Sequence, residues 1–106
     1  MSGSGGGGGA GGPEASCERL VINTMLASPR PGAVSVLYPG QVLSVEIQGG
    51  SVVVVDDQGK LVGGVASPLV QRLRECMEAG TDYHAKVVAK NNALVRLQVS
   101  AVSASF

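Results

Sequence analysis

Apolar residues in this chain come in short runs cut by Gly, Pro, Asn and Asp, the pattern of strands joined by tight turns. The first run, Arg19 to Ala27, carries Leu20, Val21, Ile22, Met25 and Leu26. It stops at Ser28-Pro29-Arg30-Pro31-Gly32, where two prolines and a glycine cannot continue a ladder. Ala33 to Tyr38 reads as a short extended stretch ended by Pro39-Gly40. Gln41 to Gln48 alternates, with Leu43, Val45 and Ile47 on one face and Ser44, Glu46 and Gln48 on the other. Gly49-Gly50 predicts a two-residue hairpin, because both positions tolerate positive φ. Val52 to Val55 is unbroken within Ser51 to Asp56, which predicts a strand buried on both faces. Asp56-Asp57-Gln58-Gly59 is the next tight turn and Lys60 to Ala66 the next strand. Tyr83 to Lys90, a turn at Asn91-Asn92, and Ala93 to Val102 complete the series. In the last strand Leu94, Arg96 and Gln98 alternate with Val95, Leu97 and Val99.

One segment has the other period. Leu69, Leu73, Cys76 and Met77 form a single apolar stripe at helical spacing. Ser67 suits the cap, Pro68 the first helical position and Gly80 the residue after the last turn, so a helix is predicted over about 67–79. Arg72, Arg74, Glu75 and Glu78 should face water, with Arg74 and Glu78 placed to pair.

These elements predict an α+β fold that is mainly β. A small, mostly antiparallel sheet of about six strands would curl into a barrel, with the helix closing one end. No internal repeat is read. Met1 to Ser16 are mostly Gly and Ser with almost nothing to bury, so they are expected to form a flexible tail ahead of a single domain over 17–106. The Gly5–Gly9 run is not a phosphate loop, because no Lys-Ser or Lys-Thr follows it and no strand precedes it.

Composition narrows the chemistry. Lys plus Arg number 8 and Asp plus Glu number 8, and without the tail's Glu14 there are eight cations against seven anions. That balance lacks the basic excess of proteins that grip long nucleic acid by its phosphates. The aromatics are Tyr38, Tyr83 and Phe106, few platforms for stacking bases. No apolar run reaches the roughly 20 residues of a membrane span, and no basic-then-apolar leader opens the chain. A cytoplasmic or otherwise intracellular protein with no membrane contact is expected. Cys17 and Cys76 form no C-x-x-C, and one histidine cannot complete a zinc set with them. Neither a disulfide nor a metal site is expected, and Cys76 reads as a small buried hydrophobe.

The catalytic candidates are weak. His84 and Cys76 would need to meet, with a third group orienting the imidazole. Asp56 and Asp57 fit a turn better than an acid pair. Gly63-Gly64 ahead of Ser67 fits a close backbone approach better than an anion cradle. No enzyme activity and no cofactor are therefore expected. The basic residues with the best claim on a ligand are Arg30, Lys86, Lys90 and Arg96, and with Tyr38 and Tyr83 they would line a shallow groove. Lys86 and Lys90 lie four apart on one strand, hence on one face, with Arg96 opposite.

From Leu37 to Val99 the chain resembles the HIRAN domain, a small β-barrel module. The likeness rests on Tyr38-Pro39-Gly40 before a strand, the hairpin, and Val52–Val55 followed by Asp57-Gln58-Gly59. Leu61-Val62-Gly63 leading to a helix, then Gly80 and a strand, complete it. The resemblance implies binding to single-stranded DNA ends or short nucleic acid, which Tyr38, Tyr83, Lys86, Lys90 and Arg96 would carry. The family's Arg-x-Pro-x-Asn-Pro-x-Asp stretch is replaced by Glu46-Ile47-Gln48-Gly49-Gly50. Its basic and aromatic residues before the tyrosine are replaced by Val36 and Leu37. The alternative expectation is a protein-interaction or structural domain, monomeric or homodimeric, that presents a sheet edge or an apolar patch and binds no nucleic acid.

Overall fold

A computed structural model describes residues 16–102. The expected tail thus lies outside the described residues apart from Ser16, and so does Phe106. Six strands form one closed, all-antiparallel barrel: β1 (Val21–Ala27), β2 (Val42–Gln48), β3 (Ser51–Val55), β4 (Leu61–Val65), β5 (Tyr83–Asn91) and β6 (Leu94–Ala101). Around the barrel the order is β1-β4-β3-β2-β5-β6, and β6 returns to β1. The expected mainly-β fold holds, and the curled sheet closes completely. Closure gives every strand a neighbour on both sides, although β1 and β4 share only two residue pairs.

Two helices join the strands: α1 (Pro31–Val34) and α2 (Val70–Glu78). A short 3₁₀ turn, Cys17–Arg19, precedes β1. The chain passes from β1 to β2 through α1 and from β4 to β5 through α2. In the barrel order each of those pairs stands on opposite sides. Each helical connection therefore crosses one mouth of the barrel. Leu73 and Cys76 plug one end, and Ala33, Val34 and Leu37 plug the other.

Between the plugs, inward residues pair in rows across the strands. Ile22, Val99, Ala85 and Leu43 form one row, and Val45, Val54 and Gly63 another. Eight strands give a barrel just wide enough for side chains to fill, so six leave no interior space for a ligand. Function must sit on the outside or at the ends.

Several expectations need correction. Ala33–Val36 is not extended: Pro31 starts α1 at its first position, and a turn follows at Ser35 and Val36. Leu69 precedes α2 and is 45% exposed, while Leu73 and Cys76 are buried. Ser67 Oγ does accept from a backbone N–H, that of Leu69 at 3.1 Å, one turn ahead of the helix. Arg74 does not pair with Glu78. Its guanidinium donates to the Gly50 carbonyl at 2.9 Å and ties α2 to the β2–β3 turn. That turn is the expected hairpin, with Gln48 opposite Ser51 and φ of +58° and +82° at its two glycines.

The largest correction is covalent. Cys17 and Cys76 are joined by a disulfide with Cα atoms 5.5 Å apart, across a sequence separation of 59. Spacing gave no sign of this, because the two residues meet only once α2 has swung under the barrel. A second correction is the repeat. The chain reads strand, helix, strand, strand twice over. Exchanging β1 with β4, β2 with β5 and β3 with β6 leaves every neighbour relation intact. Its sequence trace is Ala-Ser-Pro before each helical crossover, at Ala27-Ser28-Pro29 and Ala66-Ser67-Pro68. A positive-φ glycine, Gly40 or Gly80, precedes the strand after each.

Candidate functional site

The five predicted site residues do not share a surface. Tyr83 is only 3% exposed and belongs to the core cluster, so its ring cannot stack on a base. Its hydroxyl donates to the Cys17 carbonyl, and burial pushes its pKa up while the Arg72 guanidinium pulls it down.

Lys86 and Lys90 face opposite ways. A β-bulge lies between Val87 and Ala89 on β5, so the extra residue reverses the alternation beyond it. Lys86 pairs with outward Gln98, whereas Lys90 pairs with buried Val95. Lys90 is folded over the barrel's rim. Its Nζ donates to the carbonyls of Ser35 at 3.2 Å and Leu37 at 3.1 Å, closing the chain after α1. It is a clamp, not a free cation.

What remains outside is a different constellation. On the outer face of β5, β6 and β1, Lys86 stands in a row with Gln98 and Asn23. Arg96 stands between Met25 and Ala89. Neither the Lys86 ammonium nor the Arg96 guanidinium has a hydrogen-bond partner among the described residues. Exposed apolar side chains surround them: Met25, Val88 and, at 63% exposed, Leu94. Met25, Ala89, Leu94 and Arg96 line one shallow depression with Lys90 and Asn91. The bulge turns Ala89 out onto this face beside Val88, because it sets two outward residues, Val88 and Ala89, against Arg96.

The charge on this face has one sign. β1, β5 and β6 contain no Asp or Glu, and their Lys and Arg residues are Lys86, Lys90 and Arg96. The single strand carboxylate, Glu46, is on β2. Tyr38, 59% exposed, sits in the loop held to β5 by the Gly40 N–H bond to the Val87 carbonyl at 2.7 Å.

The remaining chemical candidates resolve into structural roles. Cys76 sulfur is bonded to Cys17 and cannot act as a thiolate. His84 Nε2 lies 3.3 Å from Ser100 Oγ across the β5–β6 ladder. Asp56 Oδ1 accepts from the N–H groups of Gln58 and Lys60, both at 2.9 Å, as a turn aspartate does. A Cβ at Gly63 would lie 2.8 Å from the Ala27 carbonyl oxygen, so that glycine serves the close approach of β4 to β1. No group of three His, Cys, Asp or Glu that could hold a metal occurs among the described residues. No described helix is long and apolar enough to cross a membrane.

Comparison with protein-family models, with curated proteins and with solved structures finds no match to this chain.

Proposed function

We propose that this protein is a non-enzymatic interaction module that docks an acidic, apolar-studded protein segment on the outer face of β5, β6 and β1. One observation carries the reading: three adjacent strands whose charges are all positive, with Met25, Val88 and Leu94 exposed among them. Exposed ion pairs contribute only about 0.2–1 kcal/mol each, so Lys86 and Arg96 would steer and orient while the aliphatic side chains supply affinity. Self-pairing of this face in a two-fold dimer would set cation against cation, which favours a different, acidic partner.

A second reading, a module for single-stranded nucleic-acid ends as the HIRAN resemblance implies, has one favouring observation. Tyr38 is an exposed ring in the loop held to β5. Aliphatic side chains do not stack on bases, and one ring offers one platform. The protein reading therefore comes first.

Fluorescence anisotropy decides between them. Two labelled probes are titrated at low and physiological salt: a 15-residue peptide of alternating glutamate and leucine, and a 15-nucleotide oligothymidylate. The proposal expects the peptide to bind, and Arg96→Glu with Lys86→Glu to weaken binding and remove its gain at low salt. Binding of the oligonucleotide alone would transfer the function to the second reading, and binding of neither would defeat both.

A further inference from the structure

The Cys17–Cys76 bond lies outside the machinery that closes the barrel. Every ladder pair falls between Val21 and Ala101, and none includes the 3₁₀ turn. That turn contributes no fully buried residue. Its ties to the barrel's end are the disulfide, the Tyr83 hydroxyl bond to the Cys17 carbonyl, the packing of Cys17 on the core and a small contact with β6. Cys76 is 1% exposed beneath it, and Cys17 is half-buried.

We propose that the Cys17–Cys76 disulfide is a redox latch. Reduction by a dithiol undocks the Cys17–Arg19 turn from α2 and uncovers the Cys76 and Tyr83 end of the barrel, while the barrel itself stays closed. The less buried sulfur, on Cys17, is the one a reductant reaches. A reductant thiolate attacks Cys17 Sγ and the S–S bond breaks. Its electron pair leaves on Cys76 sulfur, which takes up a proton in its apolar site. The second thiol of the reductant then attacks the mixed disulfide, frees Cys17 as a thiol and leaves the reductant as its own disulfide. Two electrons and two protons pass from the dithiol to the protein.

Once the bond is cut, the turn keeps one side-chain hydrogen bond and small packing contacts. Both are too few to hold a segment that bonds mainly to itself, through Arg19 N–H to Ser16 and Leu20 N–H to Cys17. In an oxidising compartment the latch is closed, and in a thiol-rich one it opens. The proposal does not rest on the docking residues Lys86, Val88, Leu94 and Arg96, which lie farther along β5 and β6 from the Tyr83↔Ala101 end.

The test uses the full chain, oxidised and after dithiothreitol under native conditions. N-ethylmaleimide labelling read by mass spectrometry should add two groups only after reduction. Far-UV circular dichroism should stay unchanged. Under conditions where local opening governs amide exchange, it should quicken roughly tenfold or more at Cys17–Leu20 and around Cys76, while the core amides of β1–β6 stay protected. Cys17→Ser with Cys76→Ala should show the reduced pattern and ignore dithiothreitol. Failure to label after dithiothreitol would mark the bond as an inert staple. Collapse of the dichroism signal would show that the barrel depends on it. Unchanged exchange at Cys17–Leu20 would show that the turn stays docked without it. Each of these results overturns the proposal.

Discussion

Gly63 and Gly64 are neighbours on β4, yet alanine should act in opposite senses at the two. At Gly63 an added Cβ would lie 2.8 Å from the Ala27 carbonyl oxygen and 2.7 Å from a Leu26 methyl. The leucine can turn aside, but the carbonyl belongs to β1 and can move only with its strand. At Gly64 the added Cβ would lie 3.6 Å from the Val52 oxygen, an ordinary contact. Neither glycine has a positive φ, so backbone strain enters at neither. The seam is also the barrel's thinnest ladder, since β1 and β4 share only Leu26↔Val65 and Ala27↔Gly64. Overpacking a tight site typically costs about 1–3 kcal/mol. Alanine also lowers the entropy of the unfolded chain, worth about 0.4–1 kcal/mol of stabilisation wherever it fits. Gly63→Ala should therefore lose about 1–3 kcal/mol, and Gly64→Ala should be neutral or gain up to about 1 kcal/mol. Urea unfolding followed by circular dichroism would show midpoints roughly 0.3–4 M apart at the slopes usual for small proteins. If the two variants unfold within about 0.5 kcal/mol of each other, β4 does not press against β1 as described.

Other perturbations probe the plugs. Leu73, fully buried at the centre of α2, should cost about 2–5 kcal/mol when replaced by alanine, read from the same unfolding curves. Replacing Cys17 and Cys76 together should lose about 4 kcal/mol in the chain-entropy account of a loop this long, measured against the oxidised wild type. Tyr83's folded pKa lies above its unfolded value of 10.0 because of burial, so its contribution is full below about pH 10 and lost as pH rises toward the folded value. A melting-temperature profile from pH 8 to about 11.5 should steepen above about pH 10 in the wild type and less so in Tyr83→Phe.

Most of the strand series was legible because its turns announce themselves chemically. Paired glycines at 49 and 50, and an aspartate at 56 whose carboxylate bonds the N–H groups ahead of it, admit few other conformations. α1 was not legible. Four residues are too short for a helical period to speak, and its prolines read equally well as a turn. The disulfide was hidden because pairing across the chain is a product of the fold.

Tyr83 is different, because the signal was there. Tyr83, Ala85 and Val87 alternate against His84 and Lys86, which sets the tyrosine on the core face. The bulge was not there to read. One extra residue turned Lys90 inward and Ala89 outward, so it changed the candidate face without leaving a motif.

That face is tested most directly by locating contact, not only by detecting it. The measurement is a ¹H–¹⁵N titration of the whole chain with the alternating glutamate–leucine peptide. The account predicts shifts concentrated at Met25, Lys86, Val88, Leu94 and Arg96, with β3 and β4 unmoved. Shifts centred on β3 and β4, or spread without a centre, would contradict it.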